Sequence, residues 1–291
     1  MTELTKVKNT NKSSLAKRSI QKMLSNKLAM IGLIVVILFA LMSIFAPFIT
    51  KHDPNSIDMS ILNQPPGNGH LFGTDSTGRD LFSRLLYGGR MSIMIGTVSA
   101  LTTSIIGTIL GLITGYFRGW VDKIFVRLSE VFQAFPMTIL VMVLVTTIGP
   151  SVTNMILVFT VIGWMTVFRI VRNEVLRLRE ETYVEVNKAF GIKDFPIMFK
   201  QILPNTMSPI IVATTINVAF FILEETGLSF LGLGVPTNVP TWGTIINAAK
   251  SILVIQEYWW QWIIPGAVIS IFVMSVNFLG DGLRDVLDPK N

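Results

Sequence analysis

Ser92-Ile-Met-Ile-Gly-Thr-Val-Ser-Ala-Leu-Thr-Thr-Ser-Ile-Ile-Gly-Thr-Ile-Leu-Gly-Leu-Ile-Thr-Gly-Tyr-Phe117 contains no charged side chain. At 1.5 Å per residue, a helix of this length crosses the ~30 Å hydrocarbon core of a bilayer. Gly107, Gly111 and Gly115 recur at every fourth position, and Gly96 lies three turns earlier near the same face. Such a strip lets another helix backbone approach closely, so the segment predicts a helix buried in a membrane bundle. The alternative is that small residues are simply frequent in membrane helices.

Working outward, comparable apolar runs occur at Leu28–Phe48, Leu128–Ile148, Val152–Phe168, Ser208–Phe230 and Trp262–Leu279. They account for a mean hydropathy of +0.59, and with only 14% charged residues the chain falls in the membrane class. The predicted fold class is all-α, a polytopic membrane protein of about six transmembrane helices. The first run is too long for a signal-peptide core and lacks a small-x-small cleavage site, so it is expected to be retained. With both termini cytoplasmic, nineteen of the 24 Lys and Arg fall on inner segments, the asymmetry of the positive-inside rule. The net charge of +6 then follows from topology and anionic lipid, not from nucleic acid. With no cysteine, disulfides, thiol catalysis and thiolate metal sites are excluded.

The connecting segments differ in character. Residues 1 to about 20 read as a polar, disordered arm. Within the outer segment, Gln64-Pro65-Pro66-Gly67-Asn68-Gly69 marks irregular chain. An amphipathic helix over Gly78–Gly88, capped by Asp75 or Thr77, follows it. Leu81, Phe82, Leu85 and Leu86 form its apolar face and Arg79, Asp80, Ser83 and Arg84 the other, an interfacial pattern. Ser129, Glu130, Gln133 and Pro136 predict a kink in the third span.

From Phe168 the fourth span continues as a charged helix, and a short helix over Tyr183–Phe190 presents Tyr183, Val186 and Phe190 as an apolar stripe. Gly191 suits its C-terminal turn, and Pro204 suits the start of the next span. The stripe must be buried either under its own bundle or in the groove of another protein.

Several side chains carry two readings. Glu224 and Glu225, late in the fifth span, either line a pathway and bind a substrate's amino group or make a structural hydrogen bond near the outer interface. His52 and His70 stand eighteen residues apart, which is no metal-ligand spacing, so no metal is expected. Tyr258, Trp259, Trp260 and Trp262 read as an interfacial belt in preference to a ligand box. Arg169, Arg172, Arg177 and Arg179 form a solvated inner-surface run or contact a partner.

Glu185, Gly191, Leu203 and Pro204 have the spacing of the cytoplasmic loop of the membrane subunits of binding-protein-dependent ABC importers, and the chain resembles that family. Val186 and Asn187 stand where the loop pattern has two alanines, and Gln201 takes a hydrophobic position with Ile202 beside it. Phe72–Asp80 with Ser83-Arg84, Leu228–Gly234 with Trp242-Gly243, and Asn277–Asp285 with Asp288-Pro289 look like the second-type permease of the oligopeptide, dipeptide and nickel importers. The resemblance implies a type I importer permease fold. It divides the chain into a cytoplasmic arm (1–27), a first transmembrane helix (28–48), an extracytoplasmic segment (49–90), a permease core (91–280) with coupling loop 169–204, and a cytoplasmic tail (281–291).

The resemblance also implies a heterodimer with a homologous permease, two cytoplasmic ATPase subunits, an outer substrate-binding protein, and oligopeptide or dipeptide cargo, with nickel or a metallophore as the alternative. Tyr183, Glu185, Val186, Phe190, Gly191, Leu203 and Pro204 would meet the ATPase. ATP and Mg would reside on those partners, and no cofactor and no catalytic residue is assigned to this chain. It holds no Gly-x-x-x-x-Gly-Lys phosphate loop. A secondary transporter would show inverted repeats, and a membrane enzyme a convergent catalytic constellation; neither signature is present.

Overall fold

A computed structural model describes residues 22–287. The predicted arm over residues 1 to 20 and the Asp288-Pro289 pair lie outside them. The helices of six residues or more are α1 (Lys27–Ile44), α2 (Leu81–Phe117), α3 (Gly119–Gln133), α4 (Met137–Ile148), α5 (Val152–Leu178), α6 (Thr182–Ala189), α7 (Leu203–Phe230), α8 (Trp242–Ala248), α9 (Ile252–Glu257) and α10 (Trp260–Leu287). Five helical stretches are long and apolar enough to cross a membrane, and the bent pair α3/α4 makes up to six. The six expected spans are thus present if that pair is counted as one.

The organising element is α2, whose 37 residues extend ~55 Å, well beyond a hydrocarbon core. The separate interfacial helix expected over Gly78–Gly88 is instead the first turns of α2. Its cap is Asp80, not Asp75 or Thr77, and the Asp80 side chain accepts the Ser83 N–H at 2.7 Å. Ser83 and Arg84, assigned to the wet face, are as buried as Leu81 and Leu85. The outer segment folds over them, and Arg84 Nη1 donates to the Pro54 carbonyl at 3.2 Å. Gly88 and Gly89 do not end the helix. They admit the Thr241 backbone and the Trp242 ring, which a side chain there would strike.

The glycine strip performs the predicted packing. A Cβ at Gly107, Gly111 or Gly115 would lie 2.7, 2.8 or 2.9 Å from the carbonyl oxygens of Trp164, Phe168 and Arg172 on α5. Gly96 faces a different neighbour, Val218 and Ile222 of α7. The α2–α5 pair is the most extensive helix contact of the molecule. On the other flank α1 packs along α10, where Gly32 abuts the Ser275 carbonyl and Gly282 abuts Ala29.

Two predicted elements differ in extent. The Pro136 kink is an 88° break between α3 and α4, because the proline ring removes a backbone donor and collides with the preceding turn. The last helix runs through Leu287, so residues 281–287 of the expected tail are helical. Asn26 Nδ2 donates to Asp285 there at 3.3 Å, which ties the start of α1 to its end.

Candidate functional site

Three groups of side chains stand out, at the two ends of α2 and between them. At the end reached by Phe117, α6 buries one apolar residue and exposes the others of its apolar set. Val184 is fully buried, whereas Tyr183, Val186 and Phe190 are 38%, 45% and 81% exposed. Val184 packs in a cluster with Leu112, Tyr116, Val175, Ile197, Met198 and Ile202. Glu185, Gly191 and Pro204 are exposed and Leu203 half-buried. Gly191 has φ +75°, the left-handed turn a glycine supplies without strain. Asn187 and Gln201, two of the departures from the loop pattern, satisfy each other through an Nδ2–Oε1 hydrogen bond of 2.8 Å. Ile202, fully buried, takes up the apolar role.

This end is braced from several sides. Tyr116 donates to Asp194 at 2.5 Å, and Arg179 donates to the Tyr116 carbonyl at 2.5 Å. Arg172 holds Asp122 of α3 bidentately, at 2.5 and 2.7 Å. Arg177 pairs with Glu174 on its own helix. The run read as solvated therefore divides: Arg172 and Arg179 brace the bundle, and Arg169 is exposed beside a cavity of about 530 Å³ with Gln133, Thr166 and Asn217.

Within the bundle the adjacent glutamates part company. Glu225 is fully buried and accepts from Ser229 at 2.7 Å, Thr241 at 2.8 Å and Ser92 at 3.3 Å. Ser92 Oγ in turn accepts the Trp242 N–H at 3.1 Å. This network joins α2, α7 and α8, which is the structural alternative for Glu225. Glu224 is half-buried and, among the described residues, accepts only from Thr138 of α4, at 3.1 Å to one oxygen. Glu225→Ala is expected to lower stability by about 1–3 kcal/mol, the cost of leaving buried polar groups unpaired. Glu225→Gln, which keeps an acceptor for Ser229 and Thr241, should cost less than half of that. Thermal unfolding midpoints of the purified variants in detergent check the order.

At the opposite end of α2 the outer segment is a built cap. Asp75 accepts from the Thr77 and Arg79 N–H groups and from Arg79 Nε. Gly78 leaves room for the Asp58 backbone, and Gly73 for the Gln64 carbonyl. The aromatic belt is split. Trp259 and Trp262 are exposed, whereas Trp260 is buried and donates to the Thr74 carbonyl at 3.2 Å. Gln261 joins it, donating to Asn63 and Thr74.

The same cap brings the two histidines together. The chain turns back so that their rings lie 4.7 Å apart, and His70 Nδ1 sits 2.8 Å from Asp80. Sequence spacing carried no trace of this, because the approach is made by the tertiary fold of the segment.

A multi-span helical bundle with hydroxyl and carboxyl groups buried between its helices and an amphipathic helix exposed at one end fits a membrane transport subunit. The chain belongs to the family of binding-protein-dependent transport system inner membrane components, which it matches over residues 107–291. Residues 14–66 match the N-terminal transmembrane domain of oligopeptide transport permease C. It is 39% identical over 277 residues to the oligopeptide transport system permease protein OppC of Bacillus subtilis (strain 168), covering 95% of this chain and 90% of that protein. The dipeptide transport system permease protein DppC of Alkalihalophilus pseudofirmus is 39% identical over 94% of this chain and 90% of its own length. DppC of B. subtilis is 39% identical over 93% and 84%. The chain is accordingly a multi-pass membrane protein of an ABC importer.

Proposed function

We propose that this chain forms one half of the membrane pathway of an ATP-driven importer of oligopeptides or dipeptides. The observation that carries the reading is the exposed stripe of α6. Three large side chains face outward from a helix that its own bundle grips through Val184, the arrangement of a helix docked in a partner's groove. The partner proposed is a cytoplasmic ATPase, with a second ATPase on a homologous permease and a binding protein at the outer cap. Lys and Arg asymmetry supports cytoplasmic termini. Peptide cargo is favoured over nickel or a metallophore because the three relatives above are named for oligopeptide or dipeptide transport.

Glu224 is proposed as the pathway carboxylate, since a half-buried acidic group with one hydroxyl partner keeps acceptor capacity for a peptide's ammonium group. The complete complex in vesicles is expected to accumulate a labelled peptide with ATP and its binding protein, and to stop when hydrolysis is blocked. Accumulation by this chain alone under an ion gradient would overturn the reading.

A further inference from the structure

The outer cap gathers the chain's two histidines with one carboxylate, an arrangement the transport reading leaves unused. His52 follows the first span, His70 lies on the irregular segment, and Asp80 caps α2. One ring nitrogen of each histidine and one Asp80 oxygen lie within 4.8 Å of one another. Asp80 is buried, and its second oxygen is held by the Ser83 N–H at 2.7 Å, so the carboxylate is fixed toward His70. The histidine rings are tilted by 33° at 4.7 Å. His52 is exposed and gives up a 3.3 Å contact with the Gly69 carbonyl if it turns.

We propose that His52, His70 and Asp80 form a binding site for a first-row divalent cation of the zinc or nickel type. Two imidazoles and a carboxylate suit such borderline ions better than Ca²⁺ or Mg²⁺, which take oxygen ligands. Ligand atoms about 2.0–2.2 Å from a tetrahedral ion stand ~3.4 Å apart. The exposed His52 ring must therefore close by at most roughly 1.4 Å from the 4.8 Å limit, and the 2.8 Å His70–Asp80 pair must open by ~0.6 Å. On binding, the ion replaces the proton shared between His70 Nδ1 and Asp80. That proton moves through solvent to Nε2 of the same ring, so the neutral His70 imidazole, the neutral His52 imidazole and the carboxylate become ligands. Water fills the remaining coordination. Access is open, because His52 also lines a cavity of about 1080 Å³ with Lys51, Asp53, Tyr87 and Arg90. The bound ion would staple the outer end of the first span to the first turn of α2. The site lies at the end of α2 opposite to α6, ~55 Å away, and is independent of any ATPase contact.

The test is calorimetric titration of Zn²⁺, and in parallel Ni²⁺, into the full chain purified in detergent without a histidine tag and stripped with chelator. The expected result is one saturable site and a raised thermal unfolding midpoint with metal. His52→Ala should weaken binding at least ~10-fold and abolish the midpoint shift, in line with the 10–100-fold losses that removing even an outer-shell partner causes. Because His52 is exposed, this variant keeps the fold, which its unchanged metal-free midpoint verifies. His70→Gln should lose binding to the same extent. Unchanged affinity in both variants, or no saturable binding by the folded wild-type chain at millimolar Zn²⁺, would overturn the proposal.

Discussion

Gly111→Leu is expected to prevent assembly of the bundle. The α2–α5 contact is the largest in the molecule, and at Gly111 even a Cβ would come within 2.8 Å of the Phe168 carbonyl and of Val171 Cβ. Neither obstacle is the loose end of a side chain. One is backbone and the other a β-branched residue, fully buried, whose rotamer is stiff. Leucine adds three further carbons, so the helices must separate, and that opens contacts at Gly107 and Gly115 as well. Overpacking a tight core costs about 1–3 kcal/mol for a few extra methylenes. With the seam lost on both sides, at least about 3 kcal/mol is expected, set against a total stability of ~5–15 kcal/mol. Gly111→Ala should cost less, and Gly266→Ala nothing through packing, since no atom of the described residues lies within 4 Å of a Cβ there. The check is the fraction of monodisperse protein on size exclusion together with the unfolding midpoint. A well-folded Gly111→Leu with an unchanged midpoint would show that the seam does not hold the bundle.

Features with local periodicity were legible before any coordinates. The four-residue glycine spacing and the Tyr183, Val186, Phe190 stripe are each a property of one helix face. What periodicity could not supply is which faces meet across the chain. The hydrophilic side of the first turn of α2 is buried because Pro54, thirty residues earlier in sequence, lies over Arg84. His52 and His70 meet for the same kind of reason. Proline was an ambiguous signal: Pro136 coincides with an 88° break, yet Pro209 and Pro265 sit inside continuous helices. Glu224 and Glu225 were separable in principle. Successive residues on a helix point about 100° apart, and Ser229 lies on the Glu225 face at i+4.

Val186→Asp is expected to abolish ATP-dependent uptake while leaving the chain folded and inserted. Val186 is 45% exposed, so an aspartate there is solvated in the free chain and costs little. In the proposed complex the same position enters an apolar groove, where an unpaired charge costs several kcal/mol. A loss of 2.7 kcal/mol corresponds to about a 100-fold weaker association. Val184→Asp supplies the contrast. Its side chain is fully buried against Tyr116, Val175 and Ile197, so it should destabilise the chain itself by a comparable amount. Gly191→Pro should act through geometry, since φ +75° is closed to a proline ring locked near −65°. It would turn the stripe away from its partner without adding charge. The measurements are co-purification of the ATPase, peptide uptake in vesicles, and the unfolding midpoint. The expected pattern is lost association with a wild-type midpoint for Val186→Asp, and a lowered midpoint for Val184→Asp. Full association and uptake in Val186→Asp would mean that the outward stripe of α6 is not the docking surface, and that the force of ATP hydrolysis enters the bundle elsewhere.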